Sequence, residues 1–190
     1  MRLSPLLLAG LVLLSAACSQ PKTEQAKTPP AYFALNSYLD QNLRCLAGQN
    51  LTLRKATVLN GAREQKTFSA DSATWAAELA PLRRADLSAP ALRDAYNQYD
   101  SAGWNVYQAK ATAGKVKIKW LRLQLNDTGK LLAMDALEQE RNLLFYSERR
   151  IELRSDAGHC PALWSYRVQG KQKMIFQDSL LFDVLVQQAD

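Results

Sequence analysis

Three features of this 190-residue chain predict an α+β fold, with an N-terminal helix and a short helical pair packed on a curved, mainly antiparallel β-meander. Apolar residues recur near every 3.6 positions over residues 32–47. From Trp104 onward the pattern becomes that of strands, and the connections between them are short, which makes neighbours antiparallel. The remaining elements fill the interval between these two regions.

Tyr32 to Ala47 reads as a helix whose stripe is Phe33, Leu35, Tyr38, Leu39, Leu43 and Leu46, with Gly48 as its stop. Leu51 to Leu59 is strand-like, and Asn60-Gly61 is a strong hairpin signal leading into Arg63 to Phe68. Asp71 or Ser72 can cap a second helix through Trp75, Leu79 and Leu82, and a third short helix is expected over Ala91 to Tyr96, just past Pro90. Strands are then predicted over Asn105–Ala111, Lys115–Leu125, Leu131–Glu138, Leu143–Arg154, Leu163–Val168 and Gln172–Val186, with Gly170 as a turn. Within Lys115–Leu125 the apolar phase slips by one residue at Trp120-Leu121. A β-bulge there would account for it, as would a sheet covered on opposite faces along its length.

The order of helix, hairpin, two helices and meander resembles a group of uncharacterised outer-membrane lipoproteins of Gram-negative bacteria. The likeness rests on Thr57-Val58-Leu59-Asn60-Gly61, Trp75-Ala76-Ala77-Glu78-Leu79 and Asn142-Leu143-Leu144-Phe145-Tyr146. That group supplies no activity to carry over.

The address is written in the first eighteen residues. Arg2 precedes an apolar run from Leu6 to Leu14 that closes on Ser15-Ala16-Ala17-Cys18, the layout of an export signal. The run is shorter than the ~20 residues a bilayer-spanning helix needs. Leu14 to Cys18 resembles the lipobox of bacterial lipoprotein precursors. The resemblance implies cleavage before Cys18 and acylation of its sulfur and freed amine. Ser19 stands where that class uses Asp for inner-membrane retention, which points to the outer membrane. Residues 1–17 are thus expected to be the signal peptide, 18–31 the lipidated cysteine and a proline-bearing tether with a reach of about 20 Å, and 32–190 one domain.

The chain holds 24 Lys+Arg and 18 Asp+Glu, and removing Arg2 with the signal leaves a net +5. The charges are interspersed, without the basic stripe of a nucleic-acid footprint, so no nucleic-acid partner is expected. Lipidation of Cys18 leaves Cys45 and Cys160, an even pair in an oxidising compartment. A bridge between them would close a ring worth about 4–5 kcal/mol in the chain-entropy account; two buried free thiols are the other reading.

Candidate chemistry is sparse. His159-Cys160 invites a thiolate reading, but neighbours in extended chain point to opposite faces, and a surface histidine beside a disulfide cysteine is preferred. One histidine, no Cys-x-x-Cys and no acidic loop give no metal site, and no cofactor is expected. Asp135 with Glu138, and Glu138 with Glu140, are carboxylate pairs given no catalytic weight. Lys115, Lys117 and Lys119 form a basic row, with Arg149, Arg150 and Arg154 as further cations; it suits lipid phosphates, lipopolysaccharide or peptidoglycan carboxylates, or else is a solvated face that discourages edge pairing. Aromatics gather in the β half: Trp104, Tyr107, Trp120, Phe145, Tyr146, Trp164, Tyr166, Phe176 and Phe182. Core packing is their default role, and the lining of a lipid-holding hollow is the alternative.

The expectation is therefore a non-enzymatic binding or structural lipoprotein, held on the outer membrane by its lipid and facing the periplasm. Its partners would be an envelope protein, lipid or peptidoglycan. The main alternative is a carrier or chaperone of lipids or lipoproteins with an apolar cavity; an envelope hydrolase ranks third.

Overall fold

The chain enters its first helix later than its periodicity suggests. In the computed structural model, which describes residues 32–49, 51–156 and 163–189, helix α1 spans Leu35–Leu46. Tyr32 is drawn off the helix by tertiary packing. Its hydroxyl donates to the Arg93 carbonyl at 2.5 Å, and its ring meets Tyr96 and Tyr107 edge-on at 5.7 and 5.5 Å. From there Leu35, Leu39, Asn42 and Leu46 are buried, one residue per turn.

Strands β1 (Leu51–Leu59) and β2 (Ala62–Ala70) form the expected hairpin. Asn60 and Gly61 both take positive φ, 47° and 90°, as a tight two-residue turn requires. Helix α2 (Ser72–Arg83) starts where Asp71 accepts from the Thr74 amide at 2.8 Å. Its buried residues are Trp75, Glu78, Leu79 and Leu82, so a carboxylate sits in the middle of an otherwise apolar stripe.

The third helix shrinks to a single 3₁₀ turn, Pro90–Leu92. Tyr96, expected to end it, instead opens strand β3 (Tyr96–Ser101), because its hydroxyl is needed by the Ile118 carbonyl 3.0 Å away. The other strands are β4 (Trp104–Ala109), β5 (Ile118–Leu125), β6 (Leu131–Arg141), β7 (Phe145–Ser155), β8 (Leu163–Met174) and β9 (Leu180–Gln188). All nine join one antiparallel sheet in the order β2-β1-β9-β8-β7-β6-β5-β4-β3. Strand β5 has two register shifts against β6, at Gln124/Leu125 and at Ile118/Trp120, and the latter restores Leu121 and Leu123 to the buried face.

Gly170 does not turn the chain. Strand β8 runs through it, opposite Arg149 on β7 and Phe182 on β9, and the turn comes at residues 175–179. A Cβ on Gly170 would lie 2.0 Å from the Glu148 carbonyl oxygen and 3.0 Å from the Phe182 ring. The glycine answers a close approach of backbones, a use the sequence alone does not separate from a turn.

The core is continuous. Leu39, Leu53, Trp75, Leu79, Leu121, Met134 and Leu153, each at most 2 % exposed, belong to one cluster between the helices and one sheet face. We expect Gly170→Ala to lower stability by more than about 2 kcal/mol in urea unfolding, since backbone must move. Gly48→Ala, which meets nothing within 4 Å, should stay within about 0.5 kcal/mol of the parent.

Candidate functional site

A concavity that combines apolar walls with charge lies beneath α2. Ala77 and Pro81 form its helical side, and Ile151, Val168, Phe182 and Val184 form its sheet side; the hollow holds about 480 Å³. Sites for small molecules fall in roughly 300–1,000 Å³. The small residues of α2 make the space. Pro81 also supplies no N–H to the Ala77 carbonyl one turn earlier.

One end of the cleft is built on Glu78. Lys55 from β1 donates to both of its oxygens at 2.8 and 2.9 Å, and the Tyr166 hydroxyl from β8 donates at 2.5 Å. Burial and the neighbouring carboxylate both push the Tyr166 pKa up, so its phenol stays a proton donor. The other end is built on Glu138, whose side chain is 5 % exposed. Arg84, the C-cap of α2, grips it with two bonds at 2.9 and 2.5 Å, and Arg149 adds one at 3.2 Å. Burial pushes the Glu138 pKa up, but its bonds and charge contacts with Arg84, followed by those with Arg149, outweigh it and hold the pKa below 4.5.

Two guanidiniums thus share one carboxylate. Among the described residues Arg149 donates a single N–H, although a guanidinium carries five. Three cations (Lys55, Arg84, Arg149) face two carboxylates (Glu78, Glu138) around an apolar space. Both carboxylates are engaged as acceptors, so the chemistry on offer is a hydrophobic seat with cationic donors at its rim. Among the described residues no group of three or more His, Cys, Asp or Glu could hold a metal ion.

The sequence candidates fall elsewhere. Lys115 and Lys117 precede β5 in the exposed β4–β5 loop, and Lys119 sits at the bulge with its ammonium on the Val116 carbonyl at 2.8 Å. Lys117 pairs with Glu140 at 3.0 Å. The three do not form a row on one strand, because β5 begins only at Ile118. Lys115 and Lys117 do line a second hollow of about 440 Å³ with Arg84, Asp86 and Tyr96. The arginines scatter: Arg149 faces the cleft, Arg150 pairs with Glu152, and Arg154 reaches Asp135. Asp135 and Glu138 point to opposite faces of β6; Asp135 is 1 % exposed under Arg122 and Arg154. Cys18, His159 and Cys160 lie outside the described residues, as does the side chain of Trp164. Cys45, on the last turn of α1, is disulfide-bonded.

Of the aromatic residues, Tyr107 and Tyr166 are core and Phe182 lines the cleft. Trp104 and Trp120 lie against Arg122 on the open face, at 4.5 and 5.9 Å. The residues that sequence reasoning passed over are Lys55, Glu78 and Arg84, while Arg149 was named only as a cation beside the lysine row. Glu78 alone left a trace, a charge in the apolar stripe of α2.

Because the folded-state pKa of Glu138 is depressed, its contribution to stability is complete above about pH 4.5 and is lost as pH falls through the folded value. Glu138→Gln should therefore flatten the acid limb of a stability–pH profile measured by thermal unfolding between pH 3 and 7, while lowering stability at neutral pH. An unchanged acid limb would show that the pair contributes nothing.

No family model matches this chain, and neither curated proteins nor solved structures contain a significant relative.

Proposed function

We propose that this chain is a lipid-anchored, non-enzymatic binding protein of the outer membrane, facing the periplasm, and that its ligand seat is the cleft beneath α2. The ligand is an amphiphile with an apolar body and an anionic end. The observation that carries this reading is the sharing of Glu138 by Arg84 and Arg149 at the rim of an apolar hollow. That arrangement leaves guanidinium N–H groups for an anion beside walls of Ala77, Pro81, Ile151 and Val168. It favours the carrier form of the binding role over a purely structural one. The curved form of the sheet belongs to this proposal; the register shifts at Ile118/Trp120 and Arg154/Ser155 support it, since bulges bend strands. The engaged state of Glu78 and Glu138 supports a non-catalytic role.

The anchor and the bridge complete the reading. Cys18 carries the lipid, so Cys18→Ser should release the protein from the membrane fraction. Cys45 is disulfide-bonded, and with Cys18 lipidated we infer that its partner is Cys160, the third cysteine of the sequence. Peptide mapping without reductant should recover that cross-linked pair, and a free Cys160 thiol would refute it.

A fluorescent long-chain fatty acid is the first probe of the cleft. It should bind saturably at one site. Arg149→Gln should weaken it by roughly tenfold, as expected for one charge-assisted hydrogen bond, and leave Glu138 held by Arg84. The exposed Arg63→Gln should change nothing. Absence of saturation, or equal effects of the two variants, would overturn the cleft as the seat.

A further inference from the structure

Nine large apolar side chains are exposed among the described residues, and eight of them lie at one end of the sheet. They are carried by three hairpins, β1–β2, β8–β9 and β6–β7, which are consecutive in the sheet order. The β6–β7 turn presents Leu143 and Leu144, 95 % and 62 % exposed; the β8–β9 turn presents Ile175 and Phe176, the latter 97 % exposed. Leu59, Met174, Leu180 and Leu181 fill in between and beside them. With neighbouring strands ~4.8 Å apart, the five strand ends from β1 to β6 make an apolar ridge roughly 19 Å long. Scattered single hydrophobes are normal on a surface, but a contiguous set marks an interaction site.

Several backbone groups of the turns are already paired within the protein. The Ile175 amide donates to the Leu144 carbonyl at 2.9 Å, tying one turn to the next. Asn60 and Leu181 exchange bonds, amide to carbonyl at 2.9 Å and amide to side chain at 2.7 Å. Asn142 donates its amide to Phe145 and accepts from Leu144 at its side chain, both at 2.9 Å. Backbone groups paired in this way can enter a medium without water, whereas unpaired ones cannot. Phe176 holds its exposed ring at a φ of 63°, a conformation costly for a bulky residue and one that points to function when observed.

The flanks are basic. Arg141 and Lys173 stand immediately beside the turns, with Lys171 next along β8 and Lys115 and Lys117 in the β4–β5 loop at the same end. Lys117 is answered by Glu140 and Lys171 by Glu148. Asp178 is the one acid within the three turns. An apolar edge with a cationic rim matches the depth profile of a bilayer leaflet with anionic headgroups, apolar tips below and cations at the phosphates.

We infer that this edge is a membrane-docking tip: the three hairpin turns insert into the interface of an anionic bilayer, with Phe176 and Leu143 deepest. The inference stands independently of the cleft and of the lipid on Cys18.

The test is a depth measurement on the full-length protein carrying Phe176→Trp, mixed with phosphatidylethanolamine–phosphatidylglycerol vesicles containing brominated acyl chains. Compared with the parent, the added fluorophore should shift to the blue and be quenched by the bromolipid. Lys171→Glu combined with Lys173→Glu should reduce the quenching, and phosphatidylcholine vesicles should reduce it likewise. Emission that stays water-like with anionic vesicles would overturn the docking tip, even if the protein is held on them by its lipid. A blue shift without vesicles that grows with protein concentration would overturn it in favour of contact between two copies. Leu143→Trp serves as the second probe if Phe176→Trp folds poorly.

Discussion

Strands β2 and β3 are consecutive strands in the chain yet occupy opposite edges of the nine-stranded sheet. The segment between them must therefore cross one whole face, a distance of about 38 Å at ordinary strand spacing. Its path is marked by successive contacts. Glu78 meets β1 and β8, Arg84 meets β6, and the Tyr96 hydroxyl meets β5. Helix α2 covers only about 18 Å of this path, and the 3₁₀ turn and its flanking loops cover the rest. This crossing decides which sheet face is core, and it puts a helix with small side chains where the cleft forms.

The two faces then solve the burial of charge differently. On the helical face Glu78 and Glu138 are taken out of water and must be answered locally, because an unpaired buried carboxylate costs several kcal/mol. Glu138 receives two cations where one would suffice for neutrality, and that surplus gives the cleft its character. On the open face Asp135 is covered by Arg122 and Arg154, and Arg167 is bonded to Asp183. Those pairs run across neighbouring strands and leave the exposed sheet polar. Hydrophobic exposure is displaced from both faces to the hairpin end.

Much of the fold was legible, and the misses share a cause. The hairpin at Asn60-Gly61, the cap at Asp71, the bulge near Trp120 and the meander from Trp104 all rest on local rules of turn chemistry and periodicity. Strand β3 was missed because Tyr96-Asn97-Gln98-Tyr99-Asp100-Ser101 is an exposed edge, and its pairing partner is what makes it a strand. Gly170 was misread because its reason is the Glu148 carbonyl across the ladder. The basic row dissolved for the same reason, since a bulge and a late strand start turn alternating lysines into loop and irregular positions.

The sequence by itself determined most of the element types and the antiparallel succession, which depend on residues within a few positions of one another. Only the tertiary structure decided the pairing of β1 with β9, the crossing of α2, the meeting of Arg84 with Arg149 on Glu138, and the alignment of three hairpin turns at one end. Residues 84, 138 and 149 belong to different elements, and so do 59, 143 and 176. No periodicity links them, and they come together because strand order is set by the burial of one continuous core.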